Sequence, residues 1–297
     1  ELLGTARRWY MDGTFKVVKR PFKQLYSIHA FVQKEESVKQ VPLLFILMSR
    51  RKKKDYKAVF RHLNQLLPDR RVQSFCLDFE QGVWGALRSL YPDCTIKGCS
   101  FHWSQAVMRR LAKLGLKTAY DSDKAVHIFA RKLLSLPYLP AAHIPLAYQE
   151  LQQECNNPQI QRLMRYVQRT WIQNPVYSVE EWCVFRQSVR TNNDTEGWHN
   201  RLSSKAHGAQ LHFYKLVPAL IKEAQSVVRT VQLVEEQAVN RYQRPAYRKT
   251  AQRLDTLWDQ YQAKQITTSV FLRSVGYLYT PSFPTPGDSG SSDTDSD

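Results

Sequence analysis

The order of apolar segments in the first 116 residues most constrains the fold. Runs of β-branched and aromatic residues predict strands over 7–19, 25–33, 41–49, 72–79 and 95–101. Helical spacing of apolar residues predicts helices over 56–67, 81–91 and 105–116, the last with Ser104 as N-cap. This order favours an α/β sheet in which an antiparallel three-strand meander is extended by two parallel strands through crossovers. The third strand is apolar on both faces, so we expect it in the centre of the sheet.

Beyond residue 118 the pattern is helical, with breaks at prolines. We predict a first core part over 1–118, a helical insertion over 119–190, a helical C-terminal part over 191–280 and a disordered acidic tail over 281–297. The longest helix is expected over 213–240. A strand begins almost at Glu1, which indicates that the chain is a piece of something longer.

Charge indicates the kind of partner. The 297 residues carry a net charge of +17, and residues 1–286, with 43 basic and 22 acidic residues, carry +21. A surplus of this size favours a polyanion, with nucleic acid first and an anionic membrane surface second, although a basic surface alone is also compatible with an ordinary soluble protein. No apolar run approaches the roughly 20 residues that a membrane span needs, so no membrane partner is expected.

Three acids stand out by their context. Asp12 lies in a strand beside Gly13, although Asp and Gly both disfavour strands. Asp78 ends a buried apolar strand, where sheet enzymes gather ligands. Glu196 is expected on a helix, where it would share a face with His199 and Asn200 at i, i+3 and i+4.

Carboxylates that are brought together repel unless a cation lies between them. Two hard divalent cations held by Asp12, Asp78 and Glu196 could activate water and stabilise the leaving oxygen of a phosphodiester. Each acid taken alone is more typical of a solvated loop or helix cap, and only the three together favour a metal site.

Cys99 and His102 form a second cluster just after the fifth strand. A Cys-x-x-His pair can supply half of a structural zinc site, which needs four ligands, so Zn²⁺ stays open. The alternative is a packed cysteine with a hydrogen-bonded histidine. Glycine-rich nucleotide-binding loops and a G-x-S-x-G serine motif are absent from the sequence.

Taken together, these segments resemble the Mutator-like (MULE) transposase domain. The resemblance begins with Trp9–Lys16, Pro21-Phe22 and Gln24–His29, and continues through Val41–Leu44, Tyr56 and Asp78–Glu80. It extends through Gly98–Ala106 and Arg190–Leu202, and so covers about residues 7–205.

The resemblance implies an RNase H-like catalytic core of the DDE class, with an all-α insertion between the fifth strand and the helix that bears the Glu. It makes Asp12, Asp78 and Glu196 the catalytic, metal-binding acids, places Cys99 and His102 on a supporting C-x-x-H motif, and implies Mg²⁺ or Mn²⁺ as cofactor. Members of the family cut DNA at transposon ends and join the 3′-hydroxyl to a target. Their zinc-binding recognition domain and SWIM finger have no counterpart in these residues, so recognition of terminal repeats is expected to be lost, elsewhere, or carried by the helical part.

The hypothesis that follows is a metal-dependent DNA transposase core that acts on double-stranded DNA in the nucleus. Trp103 and Trp198 are candidates for base stacking or for core packing, and a homo-oligomer stays open. The alternatives are a domesticated, catalytically silent DNA-binding or regulatory protein and an RNase H-like nuclease. Supporting roles are assigned to His199 and Asn200, and the candidate phosphate contacts are Lys52, Lys53, Lys54, Arg109, Arg110 and Lys113.

Overall fold

In a computed structural model, the structure describes residues 1–155, 157–191, 193–206, 210–238 and 245–279. The described chain forms two compact units. The first comprises residues 1–97 and 191–238, and the second comprises residues 98–190 and 245–279. The predicted tail over 281–297 lies outside the described residues, and the predicted domain boundaries stay predictions.

The first unit is built on a five-stranded sheet. Its strands are β1 (Arg8–Thr14), β2 (Gln24–Lys34), β3 (Ser37–Met48), β4 (Ser74–Leu77) and β5 (Thr95–Gly98), in the spatial order β3-β2-β1-β4-β5. β1, β2 and β3 form the antiparallel meander, and β4 pairs with β1 in parallel. This confirms the prediction of a mixed α/β sheet with flanking helices.

Thirteen α-helices are described across the two units. They are α1 (Leu2–Thr5), α2 (Lys53–Leu66), α3 (Gln81–Leu90), α4 (Ser100–Lys113), α5 (Lys117–Ser122), α6 (Lys124–Leu134), α7 (Ile144–Gln153), α8 (Pro158–Val167), α9 (Val179–Trp182), α10 (Asn193–Lys205), α11 (Phe213–Glu235), α12 (Pro245–Gln262) and α13 (Thr268–Leu278). Short turns of 3₁₀ helix lie at Leu136–Tyr138 and Ala141–His143, and a π-helical turn lies at Gln168–Ile172. None of the described helices is both long enough and apolar enough to span a bilayer.

The prediction that the third strand is central was wrong, because β3 is an edge strand of the sheet. A helix covers its apolar residues in part, and β3 pairs with another strand on one side alone. α11 packs along β3 and β2, with Leu216, Leu220, Val227 and Val234 buried at helical spacing. Residues 42–47 of β3 are only half-buried, so an apolar sequence on both faces does not by itself fix the position of a strand in the sheet.

Several predicted boundaries also differ from the structure, among them the ends of β1 and β5. β1 ends at Thr14, and the following Val17 and Val18 join a buried cluster with Trp198, Leu202 and Leu216. The strand predicted over 95–101 stops at Gly98, and Cys99 is the N-cap of α4, so Ser104 lies inside that helix. A serine next to an apolar segment therefore marked the wrong helix start.

The second unit is helical in its described part. Trp103, Trp171 and Trp182 form its aromatic centre, with ring centroids 5.7–6.5 Å apart and all three side chains fully buried. The indole nitrogen of Trp258 donates to the backbone oxygen of Tyr138 at 2.8 Å. Trp103 is therefore a core residue of this unit and not an exposed stacking platform.

Candidate functional site

Strand pairing places two of the predicted acids side by side. In the parallel ladder between β1 and β4, Tyr10 is the register partner of Cys76. Asp12 and Asp78 each follow these partners by two residues, so they occupy equivalent positions at the carboxyl ends of neighbouring strands that lie about 4.8 Å apart. Both are buried, at 5% and 8% exposure.

The electrostatics of Asp78 reflect this crowding. Burial raises the pKa of Asp78 well above its ordinary value, and the negative charges of Glu80 and Asp12 raise it further. Arg51 and a backbone N–H of Glu80 act in the opposite direction. Asp78 Oδ1 is buried and accepts no hydrogen bond from the described residues. The charge of the Asp78 carboxylate is therefore only partly compensated.

Asp12 is held from two sides. Its Oδ1 accepts the Gly13 N–H at 2.9 Å, and its Oδ2 lies 3.2 Å from Nδ1 of His199. An ionised carboxylate can only accept, so the Nδ1 of His199 carries the proton in this bond. His199 lies on α10 and is itself buried, and this contact ties α10 to β1 beside the acid pair.

The hydrogen bonds continue from His199 into β2. Ser27 Oγ lies 3.0 Å from His199 Nε2 and 2.9 Å from His29 Nε2. Burial, reinforced by the nearby His199, lowers the pKa of His29 to about 3, so His29 is neutral at physiological pH. A buried chain Asp12–His199–Ser27–His29 thus fixes the orientation of the first acid.

Glu196 lies in the first turn of α10, one helical turn before His199, and its side chain is half-buried. Asn200 is exposed, whereas His199 is buried, so these two do not share one environment as the predicted helical face implied. The neighbouring Thr195 accepts a hydrogen bond from Gln40 Nε2 at 2.9 Å, which ties the start of α10 to β3. The role of Glu196 as a third metal ligand stays a prediction.

A third buried acid borders the pair. Glu80 is 4% exposed and forms an ion pair with Arg51 at 3.7 Å. Its carboxylate also bonds the hydroxyl of Tyr56, whose pKa is raised by burial and by Glu80. Tyr56 in turn accepts a bond from Gln24 Nε2 at 2.6 Å. Glu80 therefore links the acid pair to α2 and to the start of β2.

The donor set fits a divalent cation. Asp12 and Asp78 offer carboxylate oxygens, the hard ligands that Mg²⁺ and Mn²⁺ prefer. Both lie towards the carboxyl ends of the adjacent parallel strands β1 and β4. Burial and two neighbouring acids raise the pKa of Asp78 although Arg51 acts against them, and a bound cation would add to the compensation of its charge.

The Cys-x-x-His pair lies in the second unit. Cys99 is the N-cap of α4 and His102 lies in its first turn, so the Sγ atom and a ring nitrogen come within 4.8 Å of each other. This geometry suits two ligands of one metal ion. A zinc ion would need further ligands.

The predicted phosphate contacts divide by environment. All three lysines at the start of α2 are exposed, and the aliphatic part of Lys53 also lies against Gly85 of α3. In the second unit, the guanidinium of Arg110 lies 5.3 Å from the centre of the Tyr166 ring, while Arg109 is half-buried and Lys113 is exposed. Their contacts with DNA stay predictions.

Trp198, the other stacking candidate, is a core residue of the first unit. Its ring stacks on Phe45 at 5.3 Å, and its Nε1–H donates to Glu223 Oε2 at 2.9 Å. Glu223 is nearly buried and also binds Lys205. This buried polar contact joins α10 to α11 and so supports the helix that carries His199.

Sequence reasoning assigned no role to Ser27, His29, Arg51 or Glu80. The available signal was spacing: Ser27 and His29 alternate on β2, and Ser27 is the register partner of Asp12. Glu80 repeats the acid of Asp78 two residues later. Such spacings are also common among residues that have only a structural role. The strand register is therefore needed to tell which of these residues lie beside the acid pair.

Comparison with known proteins supports the predicted family. A search of curated proteins returned no significant match. The family model of the MULE transposase domain matches residues 8–106, a stretch that holds Asp12, Asp78, Cys99 and His102 and ends well before Glu196. Residues 8–106 of this chain are therefore similar to the MULE transposase domain.

Proposed function

We propose that the chain is the catalytic part of a DNA transposase that cleaves strands at transposon ends and joins the 3′-hydroxyl to target DNA in the presence of Mg²⁺ or Mn²⁺. The observation that carries the proposal is the buried pair of Asp12 and Asp78 at the ends of adjacent parallel strands, where burial and then the charges of Glu80 and Asp12 raise the pKa of Asp78. Such a pair costs stability and is typical of a site that binds a cation.

The same proposal includes an RNase H-like core of the DDE class. The sheet order β3-β2-β1-β4-β5, with an antiparallel meander and a parallel fourth strand, supports it. We further propose that the helical residues between β5 and α10 are an insertion into this core. The helix α10 would then bring Glu196 to the carboxyl ends of β1 and β4, where Asp12 and Asp78 lie.

Each residue has a role in this scheme. Asp12, Asp78 and Glu196 hold the cations, and His199 keeps the Asp12 carboxylate in one orientation through the 3.2 Å bond. When bound, a pair of divalent cations supplies an activated nucleophile and stabilises the leaving oxygen of a phosphodiester. Cys99, His102 and Asn200 are proposed to support the site from its surroundings. The basic surface, with a net charge of +17 for the chain, would attract double-stranded DNA, which implies a nuclear location.

The test is a nicking and strand-transfer assay. Wild type, Asp78→Asn and the control Asp69→Asn are incubated with supercoiled plasmid and with labelled candidate ends in Mg²⁺, Mn²⁺ or EDTA. Asp69 is an exposed acid of the α2–β4 connection, so its variant removes the same charge outside the site.

We expect metal-dependent DNA cleavage by wild type and the control, and a loss of at least about 100-fold in Asp78→Asn, because a metal ligand is removed. Equal activity in wild type and Asp78→Asn would overturn the enzymatic proposal. DNA binding without cleavage would indicate a domesticated DNA-binding protein. A preference for RNA–DNA hybrids would indicate an RNase H-like nuclease.

A further inference from the structure

The first unit contains a cleft whose described lining is entirely basic. The cleft has a volume of about 320 Å³, and it is lined by Lys23, Arg50, Arg51 and Lys52. Lys23 directly precedes β2, and the other three residues connect β3 to α2. Four like charges around one concavity repel each other, so the cleft is suited to an anion.

Strand pairing brings the two lining segments together. Gln24, the first residue of β2, is the register partner of Met48, the last residue of β3. The N–H of Lys23 donates to the backbone oxygen of Met48 at 2.7 Å. The backbone pairing of β2 with β3 therefore holds the two lining segments of the cleft next to each other.

The turn that leads into α2 is also fixed. The N–H of Lys52 donates to Asp55 Oδ2 at 2.9 Å, and the N–H of Asp55 donates back to the Lys52 oxygen at 2.8 Å. A Cβ atom at Gly82 would lie 2.5 Å from the backbone oxygen of Arg51, so the glycine allows α3 to pack closely against this turn. Because Lys52 caps α2, the positive end of the helix dipole adds to the charge of the cleft.

The cleft lies at the same end of the sheet as the acid pair. The antiparallel register puts the carboxyl end of β1 beside the start of β2 and the end of β3, and β4 runs parallel to β1. Arg51 connects the two places directly. It pairs with Glu80 at 3.7 Å, lies 4.7 Å above the Phe15 ring and lowers the pKa of Asp78.

We propose that this cleft binds a backbone phosphodiester of the DNA strand on which the acid pair acts. The inference rests on the proposed function and adds the position of the bound strand. Lys23, Arg50 and Lys52 are exposed and can reach a phosphate, whereas Arg51 is held by its aromatic and acidic contacts. The volume is at the small end of the range for ligand pockets, which suits one phosphate with its sugar and excludes a whole duplex.

The experiment measures binding without catalysis. A fluorescein-labelled DNA duplex of about 20 base pairs is titrated in EDTA over a series of salt concentrations. The variants are Lys23→Gln/Arg50→Gln in the cleft and Lys39→Gln/Arg61→Gln as a control. The control removes the same two charges from exposed positions of the same unit. Thermal melting checks that both variants fold as wild type does.

Loss of one phosphate contact should reduce the slope of log K against log salt by about 0.9, which corresponds to roughly eightfold weaker binding near 0.1 M salt. We expect this change in the cleft variant and a clearly smaller one in the control. Equal losses in the two variants would overturn the assignment.

A second measurement identifies the source of the phosphate. Inorganic phosphate is added at constant ionic strength, and the melting temperature is recorded. If the cleft variant loses stabilisation by phosphate but binds DNA as the control does, the cleft takes a free anion and the DNA assignment falls.

Asp78→Asn should bind DNA as wild type does, because Asp78 lies outside the cleft. If wild type does not cleave DNA but the cleft variant shows the smaller slope of log K against log salt, only the proposed function is refuted.

Discussion

Replacing Asp78 by Asn should stabilise the metal-free protein although it abolishes the proposed reaction. In the folded chain Asp78 is buried next to Asp12 and Glu80, and both neighbours raise its pKa. Asn has nearly the same shape and no charge, and its amide group can donate to the remaining carboxylates. The substitution therefore removes repulsion without opening a cavity.

The strand geometry sets the magnitude. At roughly 5 Å, the spacing of neighbouring strands, two charges in an effective dielectric of about 20 repel by about 3 kcal/mol. Arg51 offsets part of this repulsion, since it acts against the raised pKa of Asp78. We expect a net gain of about 1–2 kcal/mol in the free energy of unfolding, or about 3–6 °C in melting temperature for a unit of this size.

The gain should depend on pH in a defined direction. Because the folded-state pKa of Asp78 is raised, the folded state binds more protons than the unfolded state between the ordinary value of 3.8 and the folded value. Wild-type stability therefore falls as pH rises through this window, and the variant lacks this loss. The difference between the two proteins should be near zero at about pH 4 and largest at neutral pH.

The assay is urea unfolding in EDTA from about pH 4 to pH 8, with the exposed Asp69→Asn as control. Addition of Mn²⁺ should raise the melting temperature of wild type and the control, and it should leave Asp78→Asn nearly unchanged. A variant that is less stable than wild type at neutral pH, or that gains equally from Mn²⁺, would refute the reasoning.

Other perturbations probe the support of the site. His199→Gln removes a ring that orients the first acid, so metal affinity or cleavage should fall by about 10- to 100-fold while the fold persists, as a metal titration would show. Gly82→Ala should destabilise by about 1–3 kcal/mol in urea unfolding, because its Cβ would meet the backbone oxygen of Arg51 at 2.5 Å. Gly85→Ala, whose Cβ would meet only the flexible part of a lysine side chain, should be nearly neutral. Because the pKa of His29 is lowered to about 3, this residue should contribute a loss of about 2 kcal/mol between about pH 7.5 and pH 5, which is measured as the change over this range in the stability difference between wild type and His29→Gln.

The sequence predicted the sheet better than its edges. Alternating strands and helices were sufficient for the meander, for the parallel addition of β4 and for the helical second half. The position of β3 was missed because an apolar sequence on both faces also occurs in an edge strand that a helix, α11, covers in part. The end of β1 was missed because Val17 and Val18 are buried by long-range packing on Trp198 and not by strand pairing.

For the candidate site, the sequence singled out Asp12 and Asp78 because each stands where folding alone gives no reason for an acid. The structure places both on adjacent strands, and their role as metal ligands stays a prediction. Their pairing is a matter of register, which the structure provides through Tyr10 and Cys76. The chain through Ser27 and His29 was not predictable, since it joins β1, β2 and a helix about 170 residues later in the sequence.

The most direct test of the central claim is a crystal structure of the protein soaked in Mn²⁺, with anomalous scattering used to locate the ion. The account predicts an anomalous peak between the Asp12 and Asp78 carboxylates, at about 2.2 Å from an oxygen of each, and its loss in Asp78→Asn. A second peak roughly 4 Å away would indicate a two-metal site. The absence of manganese from the Asp12 and Asp78 carboxylates, in crystals that bind the ion elsewhere, would contradict the account.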